Sequence, residues 1–329
     1  MRAKVRAMSF PTKRPARHAR AILGICLGVS LLLLSAERAF AWNDFGHMVA
    51  AAAAWPRLTP AARAEAGRLL ELNPDYPRWI AGVPAARREQ VAFIRAAAWA
   101  DDIKGDGQHV FDGDRPQGAD AARNIGYADP LEHRYWHFID QPFSSDHTRL
   151  LPPARPNIET ELVALQRPLG SSTSSAALKS YDMVWIEHLV GDAHQPLHAV
   201  SRFTRAQPQG DAGGNFVALC RHPCRKNLHS FWDDVLGKSR SPLAAIRYAA
   251  ALPAPDPQLA QIASPARWLK ESQRIAERYV YAPPVGDGRG PYRLDAAYRR
   301  QALKVARRQI ALAGARLALI LNRDLAPHP

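Results

Sequence analysis

Two histidine–aspartate pairs spaced four residues apart, His188 with Asp192 and His229 with Asp233, carry the chemistry most visible in this 329-residue chain. On a helix that spacing brings both side chains to one face, one turn apart. His47, Asp101, His137 and His198 add further imidazoles and carboxylates. A mixed His/Asp donor set suits zinc in a hydrolytic site. A bound dication lowers the pKa of water until hydroxide exists near neutral pH. Histidines and aspartates together cancel only part of the metal charge, which leaves an attraction for a phosphodiester. Each piece also has a plainer reading. His188 serves equally as a satisfied core histidine, either pair as a surface contact, Asp101-Asp102 as a helix end, and His137 as packing between Trp136 and Phe138. Their combination in one chain favours a metal site. His194 lies off the His188/Asp192 face and is assigned a supporting role.

The elements that must position these residues are mostly helical. The chain is rich in Ala, Leu and Arg, with little β-branched content. Helical spacing covers residues 46–55, 60–72, 86–100, 157–167, 176–194, 226–236, 264–281 and 292–322. Thr59-Pro60 supplies a cap and first turn. Pro196 ends or kinks the helix 176–194, so His198 is free to point in a new direction. Residues 104–134 are rich in Gly and Asp and break the periodicity, as expected of a long surface loop. Residues 135–140, Tyr-Trp-His-Phe-Ile-Asp, form a short aromatic segment, either extended or one turn of helix. No internal repeat, nucleotide-type glycine loop or Ser-centred nucleophile elbow occurs. The expected fold class is mainly α.

Residues 1–20 are basic, residues 21–36 are apolar, and Ala39-Phe40-Ala41 has the small-x-small form of a cleavage site. This is a secretory signal pattern, too short to span a membrane comfortably. Cleavage after Ala41 gives a mature protein beginning at Trp42, enough chain for one large domain over 42–329. An uncleaved anchor is the alternative. The leader holds eight Lys/Arg and one acid, so about half of the net charge of +14 stays with the rest of the chain. A positive mature protein favours polyanions such as nucleic acid, and is also a common solubility feature. Export predicts a periplasmic or secreted location and an oxidising space. Cys220 and Cys224 are therefore candidates for one local disulfide; a metal pair is the alternative, without a second cysteine pair to support it.

At this point the chain resembles the S1/P1 nucleases. The resemblance rests on Trp42…Gly46-His47, Trp99-Ala100-Asp101-Asp102, Trp136-His137-Phe138-Ile139-Asp140, Gly191-Asp192-Ala193-His194-Gln195-Pro196-Leu197-His198, Gly213-Gly214-Asn215, and Asn227-Leu228-His229-Ser230-Phe231-Trp232-Asp233, in that order. It implies a phospholipase C/P1 nuclease-like helical fold with three zinc ions. By motif, the first zinc takes Asp101, His137, His188 and Asp192. The second takes the free amine and carbonyl of Trp42 with His47 and Asp192, so Asp192 bridges the pair. The third takes His198, His229 and Asp233. The implied catalytic residues are Asp101, Asp192 and Lys104. Lys104 stands where the family usually keeps an arginine, and contacts phosphate as a point charge without the planar fork; plain surface charge is its alternative role. Phe138 and Asp140 match positions that receive a nucleobase, which fits single-strand preference. Core packing is the alternative for Phe138.

The implied activity is cleavage of single-stranded DNA and RNA to 5′-phosphate products, with removal of 3′-phosphates from 3′-nucleotides. Signal peptidase is the maturation partner, and no stable protein partner is implied. A zinc-dependent phospholipase C is the alternative enzyme, since that family resembles this one in its N-terminal tryptophan and three zincs. A non-enzymatic polyanion or metal binder is the third reading. The acid-rich loop over residues 105–120 departs from the family and is expected to narrow substrate access.

Overall fold

Helix-start signals in the sequence fall where helices begin. The side chains of Asn43, Thr59, Ser175, Asn227 and Asp295 each accept a hydrogen bond from the first turn of the helix that follows, satisfying donors that have no partner inside the helix. The computed structural model describes residues 42–221 and 225–326. In chain order its helices are α1 (Asp44–Ala54), α2 (Pro60–Leu70), α3 (Tyr76–Ile80), α4 (Arg88–Ala96), α5 (Trp99–Asp102), α6 (Ile158–Leu169), α7 (Ala176–Asp192), α8 (Leu228–Asp233), α9 (Pro242–Ala250), α10 (Pro257–Ala260), α11 (Pro265–Ile275) and α12 (Ala296–Asp324). The fold is mainly α. Among the described residues a single parallel strand pair accompanies the helices, β1 (Pro142–Ser144) with β2 (Ser201–Phe203), in register Pro142↔Ser201, Phe143↔Arg202 and Ser144↔Phe203.

Helix α7 is the axis of the molecule because it has no polar face to turn outward. Every residue from Ser180 to Asp192 is buried, the pattern of a helix surrounded by others. It packs against α1, α2, α5, α6 and α12. The largest apolar cluster runs from α1 through α7 to α12 and includes Trp42, Phe93, Trp99, Trp136, Trp185 and Trp268. A smaller cluster joins Leu197, Val217, Leu228 and Trp232 to Val280, Tyr298 and Val305. Among the described residues no helix is long and apolar enough to cross a membrane.

Several expected boundaries move. The helix expected over residues 86–100 breaks after Ala96 into α4 and α5. The expected 226–236 helix is only α8, and the 264–281 helix is α11 followed by a π-type turn, Ala276–Val280. Residues 104–134 are irregular as expected, with short 3₁₀ turns and a parallel bridge between Val110 and Leu131. The leader 1–41 lies outside the described residues. So does Cys224, so the expected Cys220–Cys224 bond is not part of the described structure.

Burial on α7 has a measurable consequence at Asp182. Its Oδ1 accepts from Asn124 Nδ2 at 2.6 Å, and its buried Oδ2 has no hydrogen-bond partner. Burial pushes its carboxyl up from 3.8 to about 7. Between those values the folded chain holds a proton that the unfolded chain has released. The contribution of Asp182 to stability is therefore full below about 3.8 and is lost as pH rises through about 7. Asp182→Asn carries no charge at any pH. Its stability is expected to gain on the native chain from acid to mildly alkaline pH, by an amount on the order of 4 kcal/mol. Melting curves across that range check this, and a pH-independent difference refutes it.

Candidate metal centre

Three buried groups of His and Asp side chains converge at one end of α7. His47, His188 and Asp192 form one, Asp101, His137 and His188 the second, and His198, His229 and Asp233 the third. Within each group the ligating atoms lie within 4.8 Å of one another. Helix α7 delivers His188 and Asp192 on one face, α1 delivers His47, and α5 delivers Asp101. The 3₁₀ turn Arg134–His137 delivers His137, a second 3₁₀ turn, Pro196–Ala199, delivers His198, and α8 delivers His229 and Asp233. Pro196 does more than end α7. It opens the turn that carries His198 back beside His137, where His198 Nδ1 bonds the His137 carbonyl at 2.8 Å and Ile139 N–H donates to the His198 carbonyl at 2.8 Å.

Glycines make room at two points. A Cβ on Gly191 would lie 2.7 Å from His47 Nδ1, so α7 can approach the imidazole only because residue 191 has no side chain. Gly213 has φ +59°, and a Cβ there would lie 2.4 Å from the Leu197 carbonyl. Its own carbonyl accepts from His229 Nδ1 at 2.7 Å.

The hydrogen bonds of the histidines set their tautomers. His188, His198 and His229 each direct Nδ1 to a backbone carbonyl, of Ala97, His137 and Gly213, at 2.7–2.8 Å. Neutral rings so held carry the proton on Nδ1 and a lone pair on Nε2. Yet His198 Nε2 and His229 Nε2 face each other at 3.1 Å, and His188 Nε2 lies 3.0 Å from His137 Nδ1. The His198 and His229 lone pairs aimed at one point repel unless a cation lies between them. Second-sphere bonds from the other ring nitrogen are also the usual way a metal-ligating histidine is oriented.

Asp192 is central. Its Oδ1 is 3.3 Å from His47 Nε2, and its Oδ2 is 3.0 Å from His137 Nδ1 and 3.3 Å from His188 Nε2. One carboxylate therefore faces two groups with different oxygens. His188 is common to both groups by distance, and its ring stacks on that of His47 at 3.7 Å. Buried atoms without hydrogen-bond partners concentrate here: both ring nitrogens of His47, Asp101 Oδ2, His137 Nε2 and Asp192 Oδ1. Such atoms are rare in a finished interior. This donor set, short of partners, fits divalent cations.

Charge follows the same pattern. Burial alone would raise Asp101 and Asp192. His188 and His198 around Asp192, and Lys104 with the histidines around Asp101, instead hold both carboxylates well below the usual range. Burial lowers His47 and His198, and burial with the Lys104 charge holds His137 at about 3. Burial raises Asp233 well above the ordinary value; a dication facing that carboxylate would reverse this.

Supporting residues complete the site. Gln195 Nε2 donates to Asp233 Oδ1 at 2.7 Å. His194, assigned a supporting role, bonds the Val190 carbonyl through Nδ1 and accepts from Arg316 of α12 at 2.9 Å through Nε2. Lys104 is not surface charge. It is 4% exposed, and its Nζ meets Asp101 Oδ1 at 2.6 Å. Phe138, which packs against the main apolar core, and Asp140 line a cavity of about 150 Å³ beside the centre, which Arg115 of the long loop also lines. The sequence reading missed the buried Lys104–Asp101 pair, the Gln195–Asp233 bond and Arg115. The i,i+3 spacing of Asp101 and Lys104 was the available signal for the first.

Comparison with known proteins places these observations. The family model described as S1/P1 Nuclease matches residues 42–326. Among curated proteins, the chain is 26% identical to Endonuclease 4 of Arabidopsis thaliana over 190 residues, covering 49% of this chain and 57% of that protein. It is 28% identical to Endonuclease 3 of the same plant over 180 residues, covering 47% and 56%. The chain thus spans a little over half the length of the curated relatives it matches.

Proposed function

This chain belongs to the S1/P1 nuclease family, and from that premise we propose that it is a zinc-dependent phosphodiesterase. Its substrates are single-stranded DNA and RNA, its products carry 5′-phosphates, and it also releases phosphate from 3′-nucleotides. The observation that carries this reading is the set of three buried His/Asp groups, with the His198 and His229 lone pairs aimed at one point.

Asp101, His137, His188 and Asp192 would hold one zinc. The amine and carbonyl of Trp42 with His47 and Asp192 would hold a second, and His198, His229 and Asp233 a third. Bound zinc would supply Lewis acidity to water and to phosphate oxygens. The chain itself does the rest. Asp101 and Asp192 stay ionised, as ligands must, and an Asp101 oxygen not engaged by metal or Lys104 can accept a hydrogen bond from the attacking water. The backbone carbonyls on His188, His198 and His229 keep each Nε2 aimed inward. Lys104 balances Asp101 and sets the charge that phosphate meets. Phe138 stacks on a nucleobase next to the bond that breaks, which orients the phosphodiester and requires an unpaired base.

We place the mature protein at 42–329 as one domain, exported to the periplasm or beyond after signal peptidase removes 1–41. The test uses protein beginning at Trp42, with bound zinc counted, on single-stranded DNA and on a phosphatidylcholine analogue. Cleavage of DNA to 5′-phosphate ends with about three zincs per chain supports the reading. Headgroup release with intact DNA overturns it in favour of a phospholipase. Lys104→Ala is expected to keep its zinc and to lose activity about tenfold, the scale of an outer partner of a ligand. Single-turnover rates check this, and unchanged rates would remove Lys104 from the catalytic set.

A further inference from the structure

The cavity beside the metal groups carries polar groups that the hydrolytic reading leaves unused. Its walls include Tyr135, Phe138, Phe203 and Pro153, and its volume of about 150 Å³ is that of one small planar ligand rather than an oligonucleotide. Three charged side chains line it, those of Asp140, Arg115 and the exposed Asp114. Neither Asp140 nor Arg115 has a hydrogen-bond or ion-pair partner among the described residues. They are close enough for the Arg115 charge to act on Asp140. Burial, then the charge of Asp211, pushes Asp140 up to about 6 against that pull. Asp140 is therefore ionised and purely an acceptor above that pH, and Arg115 is purely a donor. Of the other polar side chains of the wall, Asn157 is spent on its own helix cap and on the Ala154 carbonyl, the Tyr135 hydroxyl bonds His133 Nδ1, Ser201 Oγ accepts from Ala212 N–H, and Gln209 is exposed.

An unpaired carboxylate and an unpaired guanidinium facing one aromatic slot ask for a planar ligand with two adjacent donors on one edge and two adjacent acceptors on the next. Guanine alone among the common bases has this pattern. Its N1–H and N2–H₂ lie side by side, and O6 and N7 follow. Adenine presents the N1 lone pair to the carboxylate and an amino group to the guanidinium. Cytosine likewise sets the N3 lone pair beside its amino group. Uracil and thymine offer one N–H between two carbonyls. Arginine on guanine O6 and N7 is the commonest specific protein–base contact, and each bidentate pair discriminates by several-fold to a hundredfold.

We propose that this cavity is a guanine-selective base subsite, in which Asp140 accepts from N1–H and N2–H₂ while Arg115, supplied by the loop over residues 105–120, donates to O6 and N7. The inference rests on the nucleobase role of Phe138 and Asp140 proposed above and adds both the base and the residue that chooses it. The loop expected to narrow access thereby acquires a positive role. It brings the guanidinium that separates guanine from the other bases.

The test separates base choice from catalysis by using nucleosides, which have no phosphate. Zinc-loaded protein beginning at Trp42 is titrated calorimetrically with guanosine, adenosine, cytidine and uridine, well above the titration of Asp140. Guanosine is expected to bind at least about tenfold more tightly than adenosine, the lower range of one bidentate pair. Arg115→Ala and Asp140→Asn are each expected to bring that ratio close to one. Arg115→Lys keeps the charge but not the fork, and is expected to bind nucleosides while losing most of the selectivity. Equal affinities for all four nucleosides, or tighter adenosine, overturn the proposal even when the protein degrades single-stranded DNA. Selective guanosine binding without DNA cleavage supports the subsite and rejects the nuclease reading.

Discussion

His188→Ala is expected to abolish hydrolysis of single-stranded DNA and to strip the metal that it would hold with Asp101, His137 and Asp192. Its Nε2 lies 3.0 Å from His137 Nδ1, 3.3 Å from Asp192 and 3.7 Å from Asp101. It is the one residue shared by the His47 and Asp101 groups. Loss of an outer partner of a ligand costs about 10–100-fold, so loss of a ligand itself is expected to exceed about a hundredfold. The remaining side chains then work against each other. Asp101 and Asp192 lose part of the positive field that offsets their burial, and the Ala97 carbonyl loses its donor. Metal analysis, circular dichroism and turnover measured together check this. His188→Asn, closer in volume, keeps the prediction testable if the alanine variant unfolds. Near-normal turnover with zinc retained in a folded variant would sink the assignment of His188.

The chemistry was more legible in the sequence than the architecture around it, for identifiable reasons. His188/Asp192 and His229/Asp233 could be paired because helical period converts a spacing of four into a shared face. The structure adds that Ser175 and Asn227 cap these two helices. His137 and His198 sit on 3₁₀ turns, whose three-residue period leaves no stripe to read. Only the residue types marked them. The break between α4 and α5 lies inside an unbroken run of alanines, with no Gly or Pro to announce it. Helix α9 did have its signals, Ser241 as cap and Pro242 in the first turn, and was passed over because it carries no candidate ligand. Strands of three residues, such as Pro142–Ser144, are too short to display alternation. Arg115 was hidden differently. It lies in a loop whose composition suggested only solvent, and its use depends on a cavity closed by segments nearly a hundred residues apart. Lys104 was recognised as a departure from the family pattern, but its burial against Asp101 is a tertiary fact.

Protein carrying one extra residue before Trp42 is expected to lose about one zinc per chain and most of its turnover, while the metal-free fold melts as before. Trp42 is fully buried, and its indole Nε1 donates to the Gly191 carbonyl at 3.0 Å, one residue from Asp192. Gly46 completes the fit, since a Cβ there would lie 2.5 Å from the Trp42 Cβ. Asn43 fixes the backbone from the other side. Its Oδ1 caps α1 through Phe45 and Gly46, and its Nδ2 bonds Asp234 Oδ1 and the Gly237 carbonyl at 2.8 Å. Residue 42 is thus held between α7, α1 and the end of α8, with little freedom to retreat. A free amine there has a lone pair to donate. The same nitrogen in a peptide bond has delocalised that pair and brings a preceding residue into a packed interior. Comparing protein beginning at Trp42 with protein beginning Ala41-Trp42 isolates this one bond. Equal zinc content and equal turnover in the two would remove the amine from the ligand set and leave the side-chain groups standing. A loss of zinc with an unchanged metal-free melting point would mean that export and processing complete the metal centre.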